Sequence, residues 1–597
     1  MTNPVISRVA DARGFLSQLW RLTAPYWWSE ERWLARGLLA VIIGMSVFLV
    51  WLSKLLNDWN RAFFDALQNK DAASFWKLLI SFESLSDFFF SFTGLVFIYI
   101  VVAVYRMWLR QYLTIRWRRW LTHVYFGDWL ADRTYYRMEL TGHGTDNPEQ
   151  RIEYDINVFT TQTLAIVLGL LSELMTLGTF TFVLWQLSGS LTLDFLGGLE
   201  VPGYMVWVAL LYAIAGSWAT WAIGKRLVSI NFNLERYNAD FRYRLIRVRE
   251  NAESIALYKG EPDEARRLSD AFQRIYDLFW DYMRVYKRLT WLNVFYSQVA
   301  SVFPIVVQAP RYFRGEISLG VMTQTAGAFA QVQGSLSWFV DSFANLADWK
   351  AVVDRLTTFA NTMAATKEAQ AREHGFDVAP ADHPALTLED VEVALPDGRV
   401  LLSDLDLVVE PGQRLVIQGP SGSGKTTLFR VLSGLWPFGK GILRVPKGAK
   451  VLFLPQKPYI PIGTLKEAIC YPDKPDAHGD AEVREALVSC KLAHLAGRLD
   501  ESANWSMVLS PGEQQRLAFA RVLLVRPNWL FLDEASSALD ETTEARMYEL
   551  IEERLPGTTI VSIAHKPSVL RFHDRRLVID PATRRVSVSE LAPAPGE

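Results

Sequence analysis

The sequence predicts a multidomain chain: an all-α transmembrane domain of six spans, followed by an α/β domain organised around a phosphate-binding loop. Two observations carry this reading. Long apolar runs with few charges recur between about residues 33 and 340, where most of the 22 tryptophans also lie, and runs of that length and composition are suited to a bilayer. Further along, Leu415–Leu428 reads LVIQGPSGSGKTTL. Gly419, Gly424, Lys425 and Thr426 stand there at the spacing of a phosphate loop, between a strand-like run and a helix-compatible one.

Length and composition set the limits. A chain of 597 residues is too long for one core. The formal net charge of −2, with no basic tail or stripe, excludes nucleic acid as a partner bound by bulk electrostatics. The two cysteines, Cys470 and Cys490, have neither the number nor the spacing for a metal site or a disulfide framework, which suits a reducing, cytosolic C-terminal domain.

Residues 1–32 contain Trp20, Tyr26, Trp27 and Trp28 among basic residues and no small-residue cleavage site. They read as an amphipathic segment lying at the membrane interface, not as a signal peptide. The transmembrane domain, 33–363, holds the spans Trp33–Leu56, Phe88–Val104, Thr163–Leu187, Val201–Ile223, Leu289–Val307 and Gly320–Val340. Arg36 and Lys54 sit near the ends of the first span, where they can snorkel. The segment from Arg106 to Arg151 carries eight Arg and no Lys, that from Lys225 to Arg288 is similarly basic, and Ser188–Gly203 has neither. The positive-inside bias therefore places both long connections and both termini in the cytoplasm. Their helical periodicity makes them continuations of the spans that pair with one another. Residues 364–384, rich in Ala, Lys, Glu, Asp and Pro, read as a linker; 385–590 form the nucleotide-binding domain and 591–597 an unstructured tail.

Chemistry gathers around the loop. Its glycines let successive N–H groups curl toward a phosphate, and the following helix N-terminus adds partial positive charge. ATP is expected on Gly419, Ser421, Gly422, Ser423, Gly424, Lys425, Thr426 and Thr427, with Lys425 bridging the β- and γ-phosphates and Thr426 offering its hydroxyl to Mg²⁺. The apolar run Trp529–Leu532 ends in Asp533 and Glu534, which it delivers to the carboxyl edge of a sheet. Asp533 is expected to hold Mg²⁺ through water and Glu534 to polarise the attacking water. Gln456, after VLFLP, is placed to reach the metal and the water, and His565, after TIVSIA, the γ-phosphate.

LSPGEQQR at Leu509–Arg516 resembles the signature that defines ABC ATPases, and SALD at Ser537–Asp540 is similar to that family's dimer-contact loop. The resemblance implies an ABC half-transporter of the exporter-type six-helix fold, working as a dimer with two shared ATP sites. Ser510, Gly512, Glu513 and Asp540 would then act in trans on the nucleotide of the other subunit. Two positions depart from the family pattern. Pro511 stands where a glycine is usual, and Leu395 where many members carry an aromatic that stacks on adenine.

SGLWPFGKG at Ser433–Gly441, LPQKPYIPIGTLKEAICYP at Leu454–Pro472, NAESIALYKGE at Asn251–Glu261 and DNPEQRIEYDI at Asp146–Ile156 resemble the peroxisomal fatty-acyl-CoA transporter branch and its bacterial relatives. The last span is similar to that of BacA/SbmA-like transporters, some of which take up peptides or cobalamin. The resemblance implies a homodimeric transporter of the bacterial inner membrane, in contact with membrane lipid, that moves an amphiphilic or hydrophilic peptide- or cobalamin-like substrate. Fatty-acyl-CoA or lipid cargo is the alternative, and a non-transporting, ATP-gated regulatory protein is an alternative of another class. Glu173, near the middle of the third span, suits either a wet cavity or a buried structural hydrogen bond. Gln298, Gln324 and Gln331, with Gln333, are candidates to line the same cavity.

Overall fold

A computed structural model of the chain describes residues 14–80, 84–140, 147–193, 199–372, 375–381 and 383–591. Residues 1–13 of the interfacial segment, Asp146 of the first cytoplasmic motif, three linker positions (373, 374 and 382) and residues 592–597 of the tail lie outside them. The chain folds as two compact units, Met1–Glu368 and Ala369–Glu597.

The first unit is helical. Helix α1 (Phe15–Trp27) buries Leu22 and Tyr26, with the Tyr26 ring stacked on Trp117 at 5.7 Å, and leaves Trp20 and Trp28 exposed. The six span candidates fall on α2 (Arg32–Gln68), α3 (Phe92–Leu130), α4 (Ile156–Ser188), α5 (Tyr204–Glu250), α6 (Glu261–Phe313) and α7 (Leu319–Asp341). Among the described residues, five helices are long and apolar enough to cross a membrane; α7 is not one of them. It has 23 residues, enough for the crossing, but its Gln, Thr, Ser and Gly dilute the hydropathy. It packs against α2, α4, α5 and α6, with Gln324 and Thr325 buried, so neighbouring helices rather than lipid cover part of its polar surface.

Two span starts differ from expectation. Phe88–Phe90 belong to a separate short helix, Leu85–Phe90, because Ser91 adopts an extended conformation and caps α3 through the Gly94 N–H. Val201 and Pro202 lie in a hairpin of β1 (Ser190–Leu193) and β2 (Leu199–Pro202). Helix α5 starts only after Gly203, whose φ of 62° is left-handed and whose Cα faces Trp185 so closely that a Cβ would fall 2.3 Å from the ring.

At 47 and 53 residues, α5 and α6 outrun the roughly 30 Å hydrocarbon layer more than twofold. They pair along much of their length. Tyr212 and Tyr296 stack at 4.4 Å, each hydroxyl donating to the other's backbone carbonyl, and Phe241 meets Phe272 further along. The last helix of the unit, α8 (Phe343–Arg372), is a core element, packing Val353, Leu356, Phe359 and Met363 beside Trp117, Tyr125 and Phe159. The Trp349 indole N–H donates to Thr163 and Lys367 bonds Asp128, both contacts being buried.

The second unit is α/β. Strands β3 (Phe376–Ala381), β4 (Leu386–Ala394), β5 (Val400–Val409) and β7 (Gly439–Pro446) form one sheet in the order β3-β7-β4-β5. The stretch read as a linker is therefore structured over much of its length: α8 runs on to Arg372, and β3 pairs in parallel with β7. Strands β6 (Arg414–Gln418), β8 (Val451–Leu454), β11 (Trp529–Asp533), β12 (Thr559–Ile563), β13 (Arg575–Asp580) and β14 (Arg585–Glu590) form the other, ordered β14-β13-β6-β12-β11-β8 and parallel except at β13–β14. Between β8 and β11 come β9 (Gly463–Thr464) and β10 (Ser502–Ala503), a two-stranded pair. Helices α9 (Lys425–Leu432), α10 (Pro511–Val525) and α11 (Glu541–Arg554) follow the motifs that the sequence singled out.

Candidate active site

In the larger sheet, β6, β12, β11 and β8 are neighbours and parallel, so their carboxyl ends share one edge, where open α/β sheets bind ligands. The register sets Leu454 beside Leu532, Asp533 beside Ile563 and Ile563 beside Ile417. The phosphate loop, Gln456, Asp533–Glu534 and His565 all leave from that edge.

Gly422 and Gly424 have φ of 80° and 94°, which glycine adopts without strain, and Gly424 caps α9. Lys425, 6% exposed, donates through Nζ to the carbonyls of Gly419 and Pro420 at 2.8 and 2.9 Å. The buried Ser423 hydroxyl has no hydrogen-bond partner among the described residues. Ser421 and Thr426 are exposed at the mouth of the loop and Thr427 is half-buried. An orphaned hydroxyl, a lysine held by loop carbonyls and a helix N-terminus together fit a phosphate group. Burial pushes the Lys425 ammonium below the usual lysine range, against the pull of Glu534 and Asp533. Burial, and then Glu534, push the Asp533 carboxyl above its usual range, against Arg430 and Lys425.

Glu534 has φ of 48°, a left-handed conformation costly for a side-chain-bearing residue, held by its N–H donating to the Ile563 carbonyl at 3.1 Å. Gln456 Nε2 donates to Glu534 Oε2 at 2.9 Å, and His565 Nε2 lies 3.2 Å from Glu534 Oε1. Two residues far apart in the chain thus converge on one carboxylate.

Ser510, Gly512, Glu513 and Asp540 make no hydrogen bond to the phosphate loop among the described residues. Ser510 and Glu513 form a capping box at the start of α10, and Pro511 takes the first helical position. Hydrogen bonds from the Ser510 backbone and hydroxyl hold Glu513 below its usual range, with His494 3.0 Å away. Gly512 passes close to Ala538, whose carbonyl would lie 3.3 Å from an added Cβ. Asp540 caps α11, and bonds from Thr542 and Thr543 lower its pKa. Leu395 sits at the tip of the β4–β5 hairpin.

The four cavity candidates are scattered. Glu173 is half-buried and accepts from Ser335 at 2.8 Å. Gln324 is buried and donates to Asp58 of α2 at 2.8 Å, while Asn57 donates to its backbone carbonyl. Gln298 and Gln331 are exposed. A cavity of about 420 Å³ between α2 and α4 is lined by none of the four, but by residues including Trp51, Lys54, Leu174 and Met175. The sequence reading assigned no part to Gln515 or Lys566, which hold the loops around Glu534; spacing carried no sign of them, since Gln515 reaches partners 22 and 59 residues away.

The description "ABC transporter transmembrane region 2" matches residues 19–313, and "ABC transporter" matches residues 402–537. The Escherichia coli (strain K12) protein "Inner membrane ABC transporter ATP-binding protein YddA" is 35% identical over 562 residues, 93% of this chain and 95% of that one. The chain belongs to the ABC transporter family. Its similarity extends to the Arabidopsis thaliana "ABC transporter D family member 2, chloroplastic", 31% identical over 96% of this chain and 87% of that one, and to the Homo sapiens "Lysosomal cobalamin transporter ABCD4", 28% identical over 93% of both. Among solved structures, a bacterial Atm1-family ABC exporter with ATP bound aligns with a TM-score of 0.68 at 20% identity, covering 93% of this chain and 95% of that one, which shows the exporter-type fold. As an ABC half-transporter the protein is ATP-driven: its ATPase domain binds ATP, with Mg²⁺ as the usual cofactor, and couples hydrolysis to transport across a membrane.

Proposed function

We propose that the protein is a homodimeric transporter of the bacterial inner membrane, with its ATPase domain and both termini in the cytoplasm, hydrolysing ATP at two sites shared between identical subunits. The observation that carries the chemistry is the convergence of Gln456 and His565 on Glu534 beside the phosphate loop. Glu534 orients and deprotonates the attacking water, Gln456 and His565 hold its two oxygens, and Lys425 with the loop N–H groups positions the phosphates. Asp533, Thr426 and Gln456 provide the oxygens that would hold Mg²⁺, which supplies charge neutralisation on the transferring phosphoryl group. One set of motifs per chain supports the dimer: Ser510 with Glu513, and Asp540, serve as helix caps and, like Gly512, make no hydrogen bond to their own phosphate loop among the described residues, as suits a part in the partner's site.

Closure of paired ATPase domains on ATP moves the spans through the turns near 147–155 and 251–261, since ATP shifts the protein only toward the conformation that it prefers. The cargo is amphiphilic or hydrophilic, peptide- or cobalamin-like; a cobalamin transporter among the relatives and the polar interior of α7 support this. Substrate-stimulated ATP hydrolysis by the purified protein in lipid vesicles tests it, with peptides, cobalamin and acyl-CoA added in turn. Stimulation by peptide or cobalamin supports the reading, and stimulation by acyl-CoA alone replaces it. Unchanged transport by Glu173→Gln would remove Glu173 from the cargo path.

A further inference from the structure

We infer that Gln515 is a positioning residue that ties the water-orienting end of one ATP site to the elements serving the other. The inference rests on the shared-site dimer proposed above. Gln515 lies on α10, in the second turn after Ser510, and is 4% exposed. Its Nε2 donates to the backbone carbonyl of Gln456 at 3.1 Å and to the Ser537 hydroxyl at 3.2 Å, and its Oε1 accepts from the Ala538 N–H at 2.9 Å. Both ends of the amide are thus engaged, Nε2 bridging the Gln456 and 537–540 loops and Oε1 adding a second bond to the latter.

Each partner belongs to a motif with its own task. Gln456 donates to Glu534, so moving its backbone moves one of the two groups that hold the carboxylate. Ser537 and Ala538 open the loop that ends in Asp540, and α10 begins with Ser510 and Gly512. The same loop is gripped from the opposite side by Lys566, the neighbour of His565, whose Nζ donates to the Leu539 carbonyl at 2.7 Å and lies 3.7 Å from Glu544. The 537–540 loop is therefore clamped between the neighbours of both residues that hold Glu534. Placement of Ser510 and Gly512 in trans and of Gln456 in cis cannot vary independently, and the two sites hydrolyse ATP cooperatively.

The test is the ATP dependence of hydrolysis by the full-length protein in lipid vesicles, comparing wild type with Gln515→Glu and Gln515→Leu. Gln515→Glu keeps an acceptor for the Ala538 N–H and for the Ser537 hydroxyl but has no donor for the Gln456 carbonyl; Gln515→Leu loses all three bonds at similar volume. Both are expected to lower kcat roughly tenfold to a hundredfold and to bring the Hill coefficient from well above one down to about one. ATP binding, measured in a Glu534→Gln background, should change by less than about threefold. A purely structural role would reduce the number of folded molecules, lowering the rate while leaving the Hill coefficient of the remainder unchanged. Wild-type cooperativity retained in both variants overturns the inference alone. A wild type that is monomeric and hydrolyses ATP without cooperativity overturns the shared-site reading beneath it.

Discussion

Arg355 of α8 donates two hydrogen bonds to Asp155, at 2.9 and 2.7 Å, and Arg151 bonds the same carboxylate from within its own π-helical turn. The Asp155 side chain is fully buried and that of Arg151 nearly so. Removing one member of a buried charged group strands the rest, at a cost of about 3–5 kcal/mol, whereas an apolar replacement of the whole group is often tolerated. Asp155→Leu alone should lower the stability of the membrane unit by about 3 kcal/mol, read from its denaturant midpoint in detergent. Adding Arg151→Met and Arg355→Met should restore most of the loss.

Pro511 needs no compensating change. At the first position of α10 its missing N–H has no intrahelical acceptor to lose, and its fixed φ suits the helix. Pro511→Gly should leave ATP hydrolysis within about threefold of wild type and lower stability slightly, because glycine adds freedom to the unfolded chain. A large gain in activity would show that the proline restrains the signature.

The raised pKa of Asp533 has a definite sign. A carboxyl whose folded pKa exceeds its unfolded value contributes stability below the unfolded pKa, near 4, and loses it as pH rises through the folded value. Above that, the charged Asp533 costs the ATP-free protein stability. Asp533→Asn should therefore raise the melting temperature of the ATPase domain by about 2 °C at pH 7.5 without nucleotide, and the gain should fade as pH approaches 4. A lower melting temperature at neutral pH would contradict the shift.

Much of the architecture was legible because it rests on local signals. Continuous apolar runs marked the helices, and strand-loop-helix punctuation marked Gly419–Thr426. Boundaries set by capping were not: Ser91 splits Leu85–Phe90 from α3, and Gly203 turns Val201 and Pro202 into a hairpin strand, neither of which interrupts hydropathy. The 364–384 stretch, read as a linker, contains the division between the two units, but composition reports on solvent exposure and cannot see that β3 within it has a partner in β7, more than 60 residues downstream. Within the site, residues at strand ends were predictable, since strands of one parallel sheet share an edge. Gln515, Lys566 and Arg355 act through long-range hydrogen bonds and left no spacing to read.

In the proposed mechanism Glu534 activates water at a site where ATP binds independently of it. The direct measurement is nucleotide bound and hydrolysed by the purified Glu534→Gln protein in lipid vesicles with Mg²⁺. Loss of hydrolysis by roughly 10²- to 10⁴-fold, with ATP retained uncleaved at both sites, is the predicted result. Hydrolysis at the wild-type rate would contradict the assignment of Glu534 and with it the mechanism built on its contacts to Gln456 and His565.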